Sequence, residues 1–374
     1  MSKEVIASEA KQSREKAKIY QKKRQTLTLV HLVLTPVILG VAVVTPLSFL
    51  FKEWAGRIAA NPYASAGIFF ILFSAYDLLF DLPFAFYSGF RLEHQFELSN
   101  QTFGAWLGDF LKKLLLSTAF SLALIEILYA LVWNFPNCWW LFAWAGYAAV
   151  SYVMGKLFPV LIVPLFYKYG KVEDAPLKKR ILGLAARYGL PVENVYSLNL
   201  SKTTKKANAA FMGMGRTKRV VLSDTLLANF TPDEIETVVA HELGHFKHHD
   251  IWKQLGFGLV TSLAAFWIAF KLMSRLAPVF GFGGVGDVAA MPLLFLIFYF
   301  FSLVLMPVQN GFSRRLERAA DRFALTAFPR TEVFVSCMEK LGRVNLADPE
   351  PNPVYEWFFY DHPAIGKRIR MAQS

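Results

Sequence analysis

The sequence predicts a multi-pass α-helical membrane protein that also carries an aqueous domain. Of its 374 residues, 55% are hydrophobic and only 18% are charged, whereas a soluble chain of this length carries more charge. A membrane span needs an apolar run that covers about 30 Å of hydrocarbon. Such runs occur at 27–50, 64–89, 114–134, 138–160, 254–275 and 288–309.

These runs predict how the chain is divided. The expected parts are a basic tail at 1–26, a membrane domain of about four spans at 27–166, an aqueous segment at 167–252, two further spans at 253–309, and a second aqueous segment at 310–374. Two spans return the chain to the side that it left. The two aqueous segments can therefore form one domain.

The distribution of positive charge predicts the orientation in the membrane. Eight of the forty Lys and Arg residues lie in the first 24 residues, whereas the loop 277–287 has none. Because basic flanks stay in the cytoplasm, the tail and both aqueous segments are expected there. This pattern also accounts for the net charge of +12 without a nucleic-acid partner. Cys138 and Cys337 fit neither a disulfide framework nor a thiolate metal site.

Some spans contain ionisable residues, namely Asp77, Asp81, Glu126 and Lys156. Such residues normally face a bundle interior or a water-filled cavity. One interpretation is pairing between helices, with Glu126 against Lys156. The other is an aqueous chamber among the spans.

The stretch VVAHELGHFKHHD at 238–250 contains the pattern expected of a hydrolytic metal site. The preceding TPDE at 231–234 is a capping box with proline at the first helical position, so it predicts the start of a helix. On that helix His241 and His245 project from one face and can hold zinc. Glu242 can then act as a general base on water. The alternative is a helix surface with two solvated histidines.

Two further observations concern the third metal ligand. His249 continues the four-residue spacing, but it would lie about 12 Å from His241, too far to share an ion; we expect it at the membrane interface. In SRRLERAADRFA at 313–324, Glu317 and Asp321 share one helical face. Glu317 can bind the metal, and Asp321 can accept the free N–H of a ligand imidazole. The alternative is an amphipathic helix with ordinary Arg–Glu pairs.

Together these motifs resemble the type 1 CAAX prenyl protease family of integral-membrane zinc metallopeptidases, the a-factor-converting proteases. The resemblance begins with HELGH at 241–245 and SRRLERAAD at 313–321 and covers nearly the whole chain. The other similar segments are DLPFAFYSGFRLEHQFELSNQT at 81–102, FPVLIVPLFYKYGKVEDAPLKKRI at 158–181, KKANAAFMGMGRTKRVVLSDTLL at 205–227 and DHPAIGKRIR at 361–370.

The resemblance implies a role for each site residue. It implies His241, His245 and Glu317 as zinc ligands, Glu242 as the base, Asp321 behind a ligand imidazole, Asn208 on the substrate backbone along an edge strand, and His362 with Arg368 at the oxyanion. Charge that develops on the scissile carbonyl oxygen requires such a donor. A capped helix start is the alternative explanation of His362.

The resemblance also implies a fold and an activity. The expected fold is six to seven spans around a chamber, with a mainly α zincin-like catalytic domain that carries a small β-sheet. The expected enzyme is a zinc metalloendopeptidase of the gluzincin type, with HExxH plus Glu. Its substrates would be membrane-associated or C-terminally prenylated polypeptides.

Two other functions remain open at this point. One is a quality-control protease for damaged membrane proteins, as in the heat-shock branch; the other is a non-catalytic transporter or scaffold with a structural zinc. Family members have seven spans, whereas this chain has six apolar runs. The short loop at 277–287 and the end RIRMAQS favour a bacterial inner-membrane member whose catalytic domain faces the cytoplasm.

Overall fold

The computed structural model describes residues 3–189, 192, 194–212 and 219–374. Residues 213–218, part of the predicted segment 205–227, lie outside the described residues. The helices are α1 (Lys3–Val44), α2 (Leu47–Ile58), α3 (Pro62–Phe86), α4 (Leu92–Gln95), α5 (Phe103–Asn134), α6 (Trp139–Leu157), α7 (Val163–Phe166), α8 (Ala175–Arg187), α9 (Asp224–Asn229), α10 (Pro232–Lys247), α11 (Asp250–Val279), α12 (Met291–Ala327), α13 (Thr331–Val344), α14 (Pro353–Phe359) and α15 (Ile365–Gln373). The strands are β1 (Tyr169–Lys171), β2 (Val195–Leu198), β3 (Ala209–Met212) and β4 (Arg219–Ser223).

Long apolar helices form the membrane part of the protein. Within the described ranges, six helical stretches are long and apolar enough to cross a membrane, and they include α1, α3, α5, α6, α11 and α12. This confirms the predicted multi-pass helical architecture. The first predicted boundary is wrong, however: α1 ends at Val44 and Pro46 precedes a separate helix, α2. The apolar run 27–50 thus merges parts of two helices.

A cavity of about 580 Å³ lies among α1, α3, α5 and α12. Asp77 and Asp81 of α3 line this cavity, which agrees with the predicted chamber. Asp81 also lies 2.9 Å from His31 of α1, so it takes part in pairing between helices as well.

The predicted pairing of Glu126 with Lys156 is wrong. The Glu126 carboxylate lies against Gly67 of α3, and the Lys156 ammonium lies 4.5 Å from the centre of the Tyr152 ring. The two charges therefore have different neighbours, because α5 presents Glu126 to α3 rather than to α6.

The aqueous part combines helices with a small sheet. In the described part of the chain, the sheet has four strands in the order β1-β2-β4-β3. The β2–β4 pair is parallel, whereas β1 and β3 pair antiparallel at the two edges. The core beneath the sheet contains residues of both aqueous segments, including Leu222 and Val239 from the first and Phe334 and Met338 from the second.

Candidate metal centre

Helix α10 fixes the positions of two imidazoles. Its capping box forms as predicted: the Thr231 hydroxyl accepts the Glu234 amide, and the Glu234 carboxylate accepts the Thr231 amide at 2.8 Å. The helix buries the apolar face that packs on the core. On another face, His241 and His245 stand one turn apart, with 3.2 Å between their Nε2 atoms.

Glu317 of α12 meets both imidazoles. Its Oε2 atom lies 3.2 Å from His241 Nε2, and its Oε1 atom lies 3.2 Å from His245 Nε2. Gly244 permits this approach, because a Cβ at that position would be 2.9 Å from the Ala320 Cα on α12. The structure therefore brings together the three residues that the sequence suggested as metal ligands.

A carboxylate and a guanidinium lie behind His241. The Asp321 carboxylate is fully buried and accepts His241 Nδ1 at 2.8 Å. Arg368 Nε donates to the same carboxylate at 2.9 Å. Arg368 was expected at the oxyanion together with His362, but its guanidinium contacts Asp321 and only 12% of its side chain is exposed. Its direct contact is thus with the support of His241.

The partner of the second imidazole, Asp250, was not found from the sequence. Asp250 begins α11 and accepts His245 Nδ1 at 3.0 Å. Lys253 Nζ donates to its other oxygen at 2.9 Å. The sequence did offer one signal, an acidic residue at the first position of a membrane helix. Each imidazole therefore donates Nδ1–H to a carboxylate, which leaves its Nε2 atom to face Glu317.

The chemistry of this cluster fits a cation. Burial lowers the pKa of His241, but its hydrogen bonds to Asp321 and Glu317 outweigh burial and raise that pKa from 6.5 to about 9. Glu317 Oε2 is buried, and the described residues give it no hydrogen bond of good geometry, although His241 Nε2 is 3.2 Å away. Two Nε2 lone pairs and a carboxylate repel one another unless a proton or a metal ion lies among them. The three side chains can therefore hold a metal ion.

Glu242 lies beside this cluster at a cavity of about 460 Å³. Its Oε2 atom accepts the backbone N–H of Phe211, on the edge strand β3, at 3.0 Å. Asn208 immediately precedes β3 and lines the same cavity. Gln21 of α1 also lines it, a position that no sequence pattern suggested. The predicted base thus lies between the imidazole cluster and an edge strand.

His362 faces the cavity on its other side. Its Nε2 atom lies 3.2 Å from Glu317 Oε1, and its Nδ1 atom lies 2.8 Å from the Asp361 carboxylate. These two hydrogen bonds raise the pKa of His362 from 6.5 to about 10. The His362 imidazole therefore stands on the cavity wall beside Glu317, with a carboxylate next to each of its ring nitrogens.

His249 lies at the junction of α10 and α11, outside the helix whose geometry gave its expected distance from His241. The helix that carries the two imidazoles ends at Lys247. His249 adopts a left-handed conformation with φ 57° and precedes the first residue of the membrane helix α11. It therefore marks the turn from the aqueous domain into the membrane.

Profiles of known families match both parts of the chain. The profile of Peptidase family M48 matches residues 171–374. The profile described as CAAX prenyl protease N-terminal, five membrane helices, matches residues 3–168. In that range four helical stretches are long enough to span a membrane within the described residues, and α2, with 12 residues, is shorter.

Similar proteins come from bacteria and from eukaryotes. The uncharacterized metalloprotease YhfN of Bacillus subtilis is 30% identical over 341 residues, which cover 89% of this chain and 79% of that protein. CAAX prenyl protease 1 of Saccharomyces cerevisiae is 29% identical over 316 residues, or 80% of this chain and 70% of that protein. The crystal structure of S. mikatae Ste24p superposes on this chain with a TM-score of 0.78 and 25% sequence identity. The match covers 98% of this chain and 88% of the Ste24p chain.

The membrane helices, the cluster of side chains that could hold a metal ion and these matches together define an integral-membrane metallopeptidase. The chain belongs to peptidase family M48. This confirms the family resemblance and the fold class that the sequence predicted.

Proposed function

We propose that the chain is a zinc endopeptidase of the HExxH-plus-Glu type that cleaves membrane-associated polypeptides. The observation that carries this proposal is the convergence of His241, His245 and Glu317 beside Glu242 at one cavity. A structural zinc alone has no use for a base at that position. The non-catalytic alternative is therefore disfavoured.

The donor set supports zinc as the metal. A tetrahedral zinc site with ligand distances of about 2.0–2.2 Å has neighbouring donor atoms about 3.4 Å apart. Each imidazole Nε2 lies 3.2 Å from the other and 3.2 Å from one oxygen of Glu317. Three protein ligands leave one position for water, which is typical of catalytic zinc sites. When bound, the ion supplies Lewis acidity, which lowers the pKa of water and polarises the scissile carbonyl.

The residues around the cavity then divide the work. Glu242 takes the proton of the attacking water and returns it to the leaving amine. The Phe211 amide at 3.0 Å keeps the Glu242 carboxylate in position. Asn208 and the edge strand β3 hold the substrate backbone, while the His362 imidazole donates a hydrogen bond that stabilises the oxyanion. Asp321, held by Arg368, and Asp250 orient the two ligand imidazoles.

The substrate reaches this site from the membrane. The catalytic cavity is lined in part by Gln21 of α1, and α1 continues into a membrane span. Several relatives are named CAAX prenyl protease 1 or CAAX prenyl protease 1 homolog, which favours C-terminally prenylated peptides of the CAAX type. Quality control of damaged membrane proteins is the second candidate, because the metal centre acts on a peptide bond and does not itself distinguish a prenylated substrate from an unmodified one.

The placement in the cell completes the proposal. Residues 167–252 and 310–374 form one catalytic domain, which is supported by the core that they share. The basic residues before residue 27 favour a cytoplasmic position for this domain. Similarity to the Bacillus protein favours a bacterial inner membrane.

One variant tests the reaction directly. Glu242→Gln should keep the metal, because Glu242 is not a ligand, but it should lower cleavage of a quenched fluorescent peptide by about 100- to 10,000-fold. The exposed Glu173→Gln serves as the matched control and should keep both metal and activity. Full turnover by Glu242→Gln would end the assignment of the base. Metal analysis before and after chelation identifies the ion.

A substrate comparison separates the two candidate functions. The purified protein is given a farnesylated peptide, the same peptide without the lipid, and a fragment of an unfolded membrane protein. A much higher kcat/KM for the farnesylated peptide supports CAAX processing. Preference for the unfolded fragment supports quality control instead.

A further inference from the structure

A second cavity, of about 230 Å³, lies behind the metal centre and is rich in positive charge. We call it the basic pocket. Its cationic lining residues are Arg314, Arg318, Arg322, Lys367 and Arg368, and its acidic ones are Asp321 and Glu356. Trp357 lies in the same wall. The pocket is thus suited to an anionic ligand.

Partners inside the protein already engage three of the five cations. Arg368 binds Asp321 at 2.9 Å, and Lys367 binds Glu356 at 2.7 Å. Arg314 donates to backbone carbonyls of α14 and of the residue after it, including that of Trp357 at 3.1 Å.

Two arginines are left over. Arg318 and Arg322 are exposed, and neither guanidinium has a hydrogen-bond or ion-pair partner among the described residues. Their spacing of four residues puts them on one face of α12. Their charges are therefore available to an external anion.

The basic pocket lies near the boundary of the membrane. The apolar part of α12 ends near residue 309, and the Asn310 side chain donates to the Phe358 carbonyl of α14 at 2.6 Å. Helix α14 therefore lies level with the end of a membrane span. Helical side chains lean toward the N-terminus, so Arg318 leans from α12 toward the bilayer.

Helix α14 also exposes apolar surface at this level. The exposed fraction is 71% for Val354 and 56% for Trp357. Trp side chains are enriched at the interface between membrane and water, where basic side chains meet headgroups. A free phosphate would bind the arginines but leave Val354 and Trp357 exposed to water. A phospholipid would bind the arginines through its headgroup and cover the two apolar side chains with its acyl chains.

We propose that the basic pocket binds the headgroup of an anionic phospholipid, while Trp357 and Val354 contact the adjoining acyl chains. Arg318 and Arg322 bind the phosphate, and the engaged cations around them add a favourable field. This inference does not depend on the proposed function, because within the described residues the candidate metal ligands form their ion pairs with other side chains than these four.

Native mass spectrometry of the full-length protein in detergent tests the proposal. The protein is mixed with equal amounts of phosphatidylglycerol and phosphatidylcholine, and the lipid retained per chain is counted. The wild type should retain phosphatidylglycerol several times more often than phosphatidylcholine. The double variant Arg318→Gln/Arg322→Gln should weaken phosphatidylglycerol retention about tenfold or more. Trp357→Ser should weaken it by a smaller factor.

A charge-matched control removes two exposed cations outside the basic pocket, Arg315→Gln/Lys179→Gln, and should retain the lipid like the wild type. An equal loss in this control would overturn the proposal in favour of general attraction to negative charge. Equal retention of both lipids would overturn it as well. So would displacement of the lipid by millimolar inorganic phosphate together with unchanged binding by Trp357→Ser, since the site would then be one for free phosphate.

Discussion

Asp250 accepts the Nδ1–H of His245 at 3.0 Å, and it is also the first residue of a membrane helix. Only 2% of this residue is exposed, and Lys253 of the same helix donates to its second oxygen at 2.9 Å. The orientation of one candidate ligand is therefore tied to the position of α11 in the membrane. His241 is held in the same way by Asp321 of α12.

Removal of the Asp250 carboxylate should weaken metal binding. Carboxylates behind ligand imidazoles typically contribute 10- to 100-fold to metal affinity, so we expect Asp250→Ala to lose about this factor. Asp250→Asn keeps an acceptor and should lose less. The measurement is a titration of the metal-loaded protein with a chelator. Glu173→Ala, an exposed acid outside the site, should behave like the wild type; equal affinity in Asp250→Ala would contradict the role.

Gly244 should be essential for the contact between α10 and α12. A methyl group at this position would lie 2.9 Å from the Ala320 Cα, which belongs to backbone and cannot turn away. Gly244→Ala should therefore separate the helices, lower stability by about 1–3 kcal/mol and weaken metal binding through Glu317. Thermal unfolding and metal content measure both effects.

The control for this variant is Gly256→Ala in α11. A Cβ at Gly256 meets nothing within 4 Å, and alanine favours a helix over glycine. This variant should unfold at the wild-type temperature or slightly above it. If Gly244→Ala also matched the wild type, the close approach of the two helices would not be limiting.

The sequence alone predicts α10 and its two histidines, because the patterns that define them lie within a few neighbouring residues. A capping box defines the first turn, and a spacing of four residues puts His241 and His245 on one face. The same spacing relates Glu317 to Asp321 on α12. These patterns depend only on helix geometry, so they could be interpreted without knowledge of the fold.

Asp250 could not be found in this way. His249 has a φ of 57°, so the backbone leaves the path of α10 before residue 250. Extrapolation of helix geometry from His245 then fails. The carboxylate returns to the imidazole only because α11 starts in a new direction.

The contacts of the N-terminal segment could not be predicted from the sequence either, because they join residues that are far apart in the chain. Its charge predicted a basic tail, but helix α1 begins at Lys3 and continues into the first span. Tyr20 is fully buried, and Gln21 donates to the Leu346 carbonyl at 2.7 Å. Contacts across 325 residues leave no periodic pattern in the sequence.

The capping box of α10 should contribute measurably to stability. Thr231→Ala removes the side chain that accepts the Glu234 amide and should cost about 1 kcal/mol. Thr331→Ala is the matched control, because Thr331 follows the N-cap of α13 and caps no helix. Denaturation of the two variants under one condition gives the comparison. A loss of equal size in both would argue against the cap.

Glu234 adds a dependence on pH to the same cap. Burial raises its pKa, but hydrogen bonds from the Thr231 amide, Lys340 and Ser336 outweigh burial and hold the pKa below its ordinary value of 4.5. A carboxyl with a lowered pKa in the folded state stabilises the fold above pH 4.5, and this stabilisation is lost as the pH falls through the lower value. The stability difference between wild type and Glu234→Gln should therefore be full at neutral pH and shrink in acid. A difference that is constant over this range would contradict the prediction.

A polar cluster around the buried Tyr20 should support the substrate side of the cavity. The Tyr20 hydroxyl donates to Glu93 and accepts from Arg24 and from Lys206, at 3.0 and 2.9 Å. Lys206 lies two residues before Asn208, so this hydroxyl connects α1 and α4 to the start of the edge strand β3. Tyr20→Phe removes these hydrogen bonds, although Lys206 keeps its ion pair with Glu93 at 2.8 Å. The loss should cost about 1–3 kcal/mol.

The same variant should also affect the binding of substrate. Lys206 then loses its contact with the Tyr20 hydroxyl at 2.9 Å and keeps only the one with Glu93 of these two. Asn208 is therefore held less firmly, and KM for a peptide should rise more than kcat falls. Tyr147→Phe, at a position that is 45% exposed in α6, removes a hydroxyl without this network and should leave both constants and the unfolding temperature unchanged. A Tyr20→Phe protein with normal stability and normal KM would mean that α1 borders the cavity without supporting it. The expected rise in KM would show that α1, the first membrane helix, supports the residues that bind substrate.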